Sequence, residues 1–246
     1  MMQIHSTLSE LPVATRDPAL VDAFLRVQPR AHIDTAHKGK ILVQEDGFAD
    51  HSMLLLDGWI AFSKMLPDGE TQIIDVMLPG DFALIGAIYA PISACSVEAL
   101  SDVRFINVRA LHANGATPEM ATLRELLGAS IVTTQARTAE LLLRMGKGSA
   151  ASRIAYALLE FYVRLEAIGL AEGATFSLPM TQHQIGEFTG LSNVHVCRTM
   201  RRLERAGIIS HPEKTQILLS DVDALCEIAG IDLKMLRRAI LIDQFH

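Results

Sequence analysis

Between Pro179 and Ile209 the chain carries helix start and stop signals so closely spaced that they specify two short helices joined by a tight turn. Thr181 is a good N-cap, Gln184 completes a capping box with it, and Met180 and Ile185 are spaced for a hydrophobic staple. A helix therefore starts at about Gln182 and ends near Gly190, a residue that accepts the left-handed conformation after a last turn. Ser192 caps a second helix, whose apolar spacing buries Val196, Met200 and Leu203. Helices joined through Gly190-Leu191-Ser192 match helix-turn-helix geometry, and Gly186 stands where a bulky side chain would push the pair apart. After Gly207, the apolar runs Ile208-Ile209 and Ile217-Leu218-Leu219 flank a polar loop from His211 to Gln216, the pattern of a β-hairpin wing.

Charge on the second helix indicates what this unit could hold. The chain as a whole has a formal net charge of −6, which argues against indiscriminate coating of nucleic acid or anionic membrane. Locally the balance reverses, because Arg198, Arg201, Arg202 and Arg205 face Glu204 alone. Asn193, Val194, His195 and Arg198 occupy the exposed early turns, where an arginine can donate two hydrogen bonds to guanine and a valine can touch a thymine methyl. Arg201, Arg202 and Arg205 come later, suited to phosphates that hold register without reading sequence. With the helix-start residues Thr181, Gln182 and Ser192, all of these except Arg205 form the candidate DNA-binding set. A solvated surface face is the alternative for any single arginine.

The remainder supplies a frame for that unit. Gly39, Gly47, Gly58, Gly69, Gly80 and Gly86 separate short apolar runs, the rhythm of an antiparallel sandwich, jelly roll or barrel. Its clearest piece is Pro67-Asp68-Gly69 between Ile60-Ala61-Phe62 and Gln72–Val76, where the Asp-Gly pair is expected to supply the positive φ angles of a tight hairpin. A short amphipathic helix is predicted over 17–28. From 118 to 146, Met120, Leu123, Leu127, Ile131, Thr134, Thr138, Leu141 and Met145 follow at steps of three or four, close to a heptad seam with a polar middle. Such a helix either pairs with its twin in a dimer or packs on its own sensor domain. Ala151, Ile154, Ala155, Leu158, Leu159 and Tyr162 mark another amphipathic helix. The residues after Asp221 are predicted to form one or two short helices on the same domain.

Half of the residues are hydrophobic, enough for a sizeable core in two domains. No stretch approaches the ~18 apolar residues of a membrane span. No charged and apolar leader of the signal-peptide kind is seen, and Cys95, Cys197 and Cys226 are odd in number and far apart. Reduced thiols and a cytoplasmic protein are therefore expected. No nucleophile elbow, metal-binding pair or phosphate loop stands at diagnostic spacing, so an enzyme is not expected.

Together these segments resemble the Crp/Fnr family of bacterial regulators. Gly58-Trp59, Asp68-Gly69, Gln72-Ile73-Ile74 and Leu78-Pro79-Gly80-Asp81-Phe82 look like that family's sensor β-roll, and Val97–Asp102 like its closing strands. Gly148–Leu159, with Arg153-Ile154-Ala155, looks like the hinge and first helix of its DNA-binding domain, and Thr181–Leu203 like its helix-turn-helix. The resemblance implies an α+β fold: an N-terminal antiparallel β-roll (1–117), a long dimerisation helix (118–147) and a C-terminal winged helix-turn-helix (148–246). It implies a homodimer reading a palindrome in double-stranded DNA, and RNA polymerase as a further partner. Arg198 falls where the family has its guanine-reading arginine. Val194 departs from the glutamate of well-known members; valine cannot accept from cytosine N4, so the half-site should differ at that base pair.

The signal is less legible. The cyclic-nucleotide branch of the family cradles phosphate with an Arg-Ser pair and ribose with a Glu. Here Asp81–Gly86 holds no Glu, and Ile92-Ser93-Ala94-Cys95 brings no Arg. Burying a phosphate without a cation is costly, so cyclic AMP is not the expected effector. The iron–sulfur branch needs N-terminal cysteines, and none precedes Cys95. No spacing singles out His32, His37, His51 or His112 as a haem ligand. No cofactor is predicted and the effector is unassigned. Oxidation of Cys197, within the recognition helix, and a β-roll that only supports dimerisation both stay open. A small-molecule-binding β-roll with a vestigial DNA-binding domain is the rival reading.

Overall fold

The computed structural model describes residues 32–88, 90–108 and 118–241. The helix predicted over 17–28 and His112 lie outside the described residues. The glycine-punctuated apolar runs form eight strands: β1 (Ile33–Ala36), β2 (Ile41–Val43), β3 (Ser52–Asp57), β4 (Ile60–Met65), β5 (Thr71–Met77), β6 (Phe82–Ala83), β7 (Ser96–Ala99) and β8 (Val103–Val108). They pair antiparallel into two four-stranded sheets, ordered β1-β8-β3-β6 and β2-β7-β4-β5. Met53, Leu55, Ile60, Met77, Val97 and Phe105 close the core of this jelly roll. The β4–β5 hairpin turns where Asp68-Gly69 placed it, but only Gly69 takes a positive φ, 90°. Leu66 and Pro67 lengthen the loop, so Asp68 keeps an ordinary conformation and its Oδ1 accepts from the Glu70 amide at 3.1 Å.

Helix α1 (Pro118–Lys147) leaves the β-roll and reaches Gly148, after which the Ser149 side chain caps α2 (Ala150–Ala167). From Ile154 to Leu165 every residue of α2 is buried. A helix buried on every side must be enclosed by other elements. Helix α1, α3 (Gln182–Thr189), α4 (Asn193–Arg205), α5 (Val222–Ala229) and α6 (Leu233–Ile240) all pack on it. Strands β9 (Ala171–Glu172), β10 (Thr175–Ser177), β11 (Ile209–Ser210) and β12 (Gln216–Leu219) form a small sheet ordered β11-β12-β10-β9.

The β-roll and the helices meet through charge as well as apolar surface. Trp59 of the roll lies edge-on to Phe161 of α2 at 5.1 Å, and Phe161 stacks on Phe188 of α3 at 5.3 Å. Such pairs add ~0.5–1.5 kcal/mol each beyond the area they bury. Beside them, Arg164 of α2 donates to Asp81 (2.6 Å), to the Val76 carbonyl (2.7 Å) and to Glu160 (3.0 Å). Arg137 of α1 donates to Asp75 of β5 at 2.8 Å, with Glu160 at 3.8 Å. Burial works against a charge on Arg137, but Asp75, Asp81 and Glu160 outweigh it and hold the guanidinium protonated. Burial pushes the Glu160 carboxyl up, and the two arginines draw it back. The Gln72 amide of β5 also donates to the Glu187 carbonyl of α3, so the sensor sheet touches the helix-turn-helix directly.

Candidate nucleic-acid interface

Local chemistry builds the site from α3 and α4. Thr181 Oγ1 accepts from the Gln184 amide at 3.2 Å while the Gln184 side chain accepts from the Thr181 amide at 2.9 Å, a complete capping box. Met180 and Ile185 are both buried in the core around α2, as the staple spacing requires. Gly190 ends α3 with φ 65° and ψ 40°. Two residues later Ser192 accepts from the His195 amide and lies 2.8 Å from His195 Nδ1. A Cβ on Gly186 would stand 2.4 Å from the Leu191 carbonyl oxygen, so no side chain fits there while the turn keeps its shape.

Helix α4 buries Val196, Thr199, Met200 and Leu203, which presents the rest outward. Gln182, Asn193, Val194, Cys197, Arg198, Arg201 and Arg205 line one open groove. His195 and Arg202 are exposed on its flanks, as are Thr181 and Ser192 at the two helix starts. Among the described residues none of Arg198, Arg201, Arg202 and Arg205 is drawn into an ion pair, whereas Glu204 is held by His211 at 3.0 Å. The four guanidiniums are thus free to donate outward. Cys197 and Arg205, at steps of three and four from Val194 and Arg201, share this face. The wing follows as expected, with Ile209 opposite Leu219 and Ser210 opposite Leu218.

Arg153 fixes this unit to the hinge. Its Nε donates to the Gly148 carbonyl and its Nη1 to the Gly190 carbonyl, both at 3.1 Å. One side chain therefore joins the end of α1 to the turn between α3 and α4.

The seam predicted along α1 falls on two faces. Leu127 and Leu141 are buried within the chain, and Met145 packs half-buried against the core around α2. Ile131 and Thr138 are exposed, Thr134 is half-buried, and Met120 and Leu123 lie in the first turns of the helix. Val132, Leu142 and Leu143, absent from the expected seam, are exposed at 64%, 67% and 55%. The cause is geometric: a helix resting on its own domains needs an inward stripe, and a second stripe remains to be covered.

A second cavity, about 280 Å³, lies between the β-roll and α1. Phe62, Ile74, Met77, Phe82, Leu84 and Ile85 line one wall and Ile131, Thr134 and Thr138 the other, with Asp75 the sole charged lining residue. Its carboxylate is already engaged by Arg137. Among the described residues no group of His, Cys, Asp or Glu could hold a metal ion, and no helix is long and apolar enough to cross a membrane.

A jelly-roll sensor joined by one long helix to a winged helix-turn-helix defines a class of DNA-binding regulators. The chain matches a family model for the cyclic nucleotide-binding domain over residues 34–114, and one for the Crp-like helix-turn-helix domain over residues 152–228. It is 32% identical to the nitrogen fixation regulation protein FixK of Azorhizobium caulinodans over 74% of this chain and 72% of that one. To the transcriptional activatory protein AadR of Rhodopseudomonas palustris it is 34% identical, over 68% and 69%. The solved structure of FixK2 from Bradyrhizobium japonicum superposes with a TM-score of 0.72 at 26% identity, covering 82% of this chain and 98% of that one. The chain belongs to the Crp/Fnr family of transcription regulators and is a DNA-binding regulator of that family.

Proposed function

We propose that the protein acts as a cytoplasmic homodimer on a palindromic operator, with one α4 in each of two successive major grooves. The observation that carries this reading is the face of α4, where unpaired arginines stand beside Asn193 and Val194 on one exposed surface. Arg198 donates to a guanine edge, Val194 meets a thymine methyl, and Arg201, Arg202 and Arg205 hold phosphates. Thr181, Gln182, Ser192 and His195 rim the contact. The exposed stripe of α1, Ile131, Val132, Thr138 and Leu142, is the face for a second copy, because an apolar stripe of this length seeks cover. The units then divide at 117 and 147, the dimer helix between β-roll and DNA-binding domain. Relatives named as activators make RNA polymerase the next partner.

An effector belongs in the cavity beside α1. Its wall is apolar apart from two threonines and the occupied Asp75, and offers no free cation to a phosphate, which supports an effector other than cyclic AMP.

Selection of purified protein from a random duplex library at a stated salt concentration tests the main reading. Recovery of a palindrome with half-sites about one helical turn apart is the expected result. Arg198→Ala should weaken binding by about 1–3 kcal/mol and relax preference at one base pair per half-site. An Arg198→Ala protein with wild-type affinity and specificity, or ligand binding without any palindrome, would overturn it in favour of a vestigial DNA-binding domain.

A further inference from the structure

The chain contains a second helix-turn-helix. Helices α5 and α6 repeat α3 and α4 at a constant offset: Asp221 caps α5 as Thr181 caps α3, Gly230 stands for Gly190, and Asp232 caps α6 as Ser192 caps α4. Gly230 has φ 65° and ψ 45°, against 65° and 40° at Gly190. The Ile231 amide donates to the Cys226 carbonyl at 3.1 Å, as Leu191 does to Gly186 at 2.9 Å. The buried positions correspond too, with Leu225 matching Ile185, Leu236 matching Val196, and Ile240 matching Met200.

This repeat puts basic side chains where α4 has its base readers. Lys234, Met235 and Arg238 are exposed at the places of Val194, His195 and Arg198. Among the described residues neither Lys234 nor Arg238 forms an ion pair, while neighbouring Arg237 is held by Glu166. The exposed carboxylates of the unit are the two caps Asp221 and Asp232, which accept from the Ala224 and Met235 amides, and Asp223 and Glu227 within α5; none lies within α6 itself.

Both turns dock on the same end of α2. Ser152 Oγ donates to the Ala229 carbonyl at 3.4 Å, and the next residue, Arg153, holds Gly190. The turns that lead into α4 and α6 therefore both sit at the first turn of α2. Helix α6 also packs against α1. If α1 lies along the dimer axis, α6 sits beside that axis.

We propose that α6 is a second duplex-contacting helix, with Lys234 and Arg238 on phosphates of the spacer between the two half-sites. The inference rests on the dimer reading above. The face fits a polyanion because Lys234 and Arg238 are unpaired cations of the kind that hold phosphate oxygens. It adds affinity without sequence preference, since phosphates carry no base information.

The test uses the full-length protein and the operator recovered by selection. Lys234→Ala/Arg238→Ala should flatten the dependence of log K on log salt by about 0.9 per lost phosphate contact, up to about 3.6 for the dimer. Hydroxyl-radical protection should disappear from the spacer and persist over the half-sites, with base preference retained. Lys234→Arg/Arg238→Lys, which keeps the charges, should keep the wild-type slope. An unchanged slope and footprint in a dimeric double variant would overturn the inference while leaving the operator reading intact. So would an unchanged footprint with reduced transcription in vitro, which would assign α6 to polymerase. A charge-conserving variant as weak as the alanine variant would also count against it. A wild-type protein that prefers no palindrome overturns both readings together.

Discussion

The two helix-turn-helix units share turn, caps and buried positions, yet differ where the paired helices cross. In α3 that place is Gly186, whose absent side chain lets the Leu191 carbonyl approach; in α5 the matching residue is Cys226, half-buried. The first pair is therefore closed more tightly than the second. A base-reading helix must hold its side chains within a fraction of an ångström, whereas a helix that meets only phosphates tolerates a looser seat. The capping differs in the same sense. Thr181 and Gln184 cap reciprocally, while Asp221 makes the single bond to the Ala224 amide.

The comparison breaks most readily at the crossing. Gly186→Val should cost about 3 kcal/mol or prevent folding, because the new Cβ meets backbone that cannot retreat. Cys226→Val should cost no more than about 1.5 kcal/mol, being close to volume-conserving. Urea denaturation of the two variants reads the difference, and equal losses would show the two crossings to be alike. A smaller effect is expected at the caps. Thr181→Ala and Asp221→Ala should each cost about 1 kcal/mol, but only the first should also weaken operator binding and relax base preference. Loss of base preference in Asp221→Ala would mean that the units do not divide their work as described.

The smallest effect is in pH dependence. Burial pushes the Glu187 carboxyl of α3 up, partly offset by His183, and Glu98 of the β-roll adds to the rise. A carboxyl raised on folding favours the native state below its unfolded value of about 4.3, and that stability is lost as pH rises through the folded value. Glu187→Gln should flatten this fall over the weakly acidic range, seen in thermal unfolding at successive pH values. The half-exposed setting keeps the change small, and an identical pH profile in the variant would remove Glu187 from the account.

Local chemistry was the legible part. Thr181, Gln184, Gly190 and Ser192 announce α3 and α4 because caps and turns act over a few residues, and the spaced glycines announce the jelly roll for the same reason. The second unit obeys the same grammar with less contrast: aspartates cap it, Val222 opens its first helix, and a cysteine replaces the crossing glycine. Only the offset between Gly190 and Gly230, with capping residues at matching places, betrays it. The seam of α1 is ambiguous in one dimension, since Leu127, Ile131 and Leu141 fall in one series of three- and four-residue steps, yet Leu127 and Leu141 are buried and Ile131 is exposed. Periodicity counts stripes and does not say which one a neighbour covers. Glu160 and Arg164 stand at the i,i+4 spacing of a helical pair, but Asp75, Asp81 and Arg137 lie too far from them in the chain for any pattern to join the set.

Those five positions also govern how a regulator of this design can descend from another. Removing one member of a buried ion pair costs about 3–5 kcal/mol, a large share of the 5–15 kcal/mol that holds a typical domain. Replacing the set together by apolar residues is often neutral or better. Single steps away from the arrangement are therefore closed to a lineage, while joint changes across β5, α1 and α2 stay open. In this chain sensor and reader are a matched pair. A chimaera whose foreign β-roll lacks carboxylates at the places of Asp75 and Asp81 leaves Arg137 and Arg164 without their partners, a misfit at its centre.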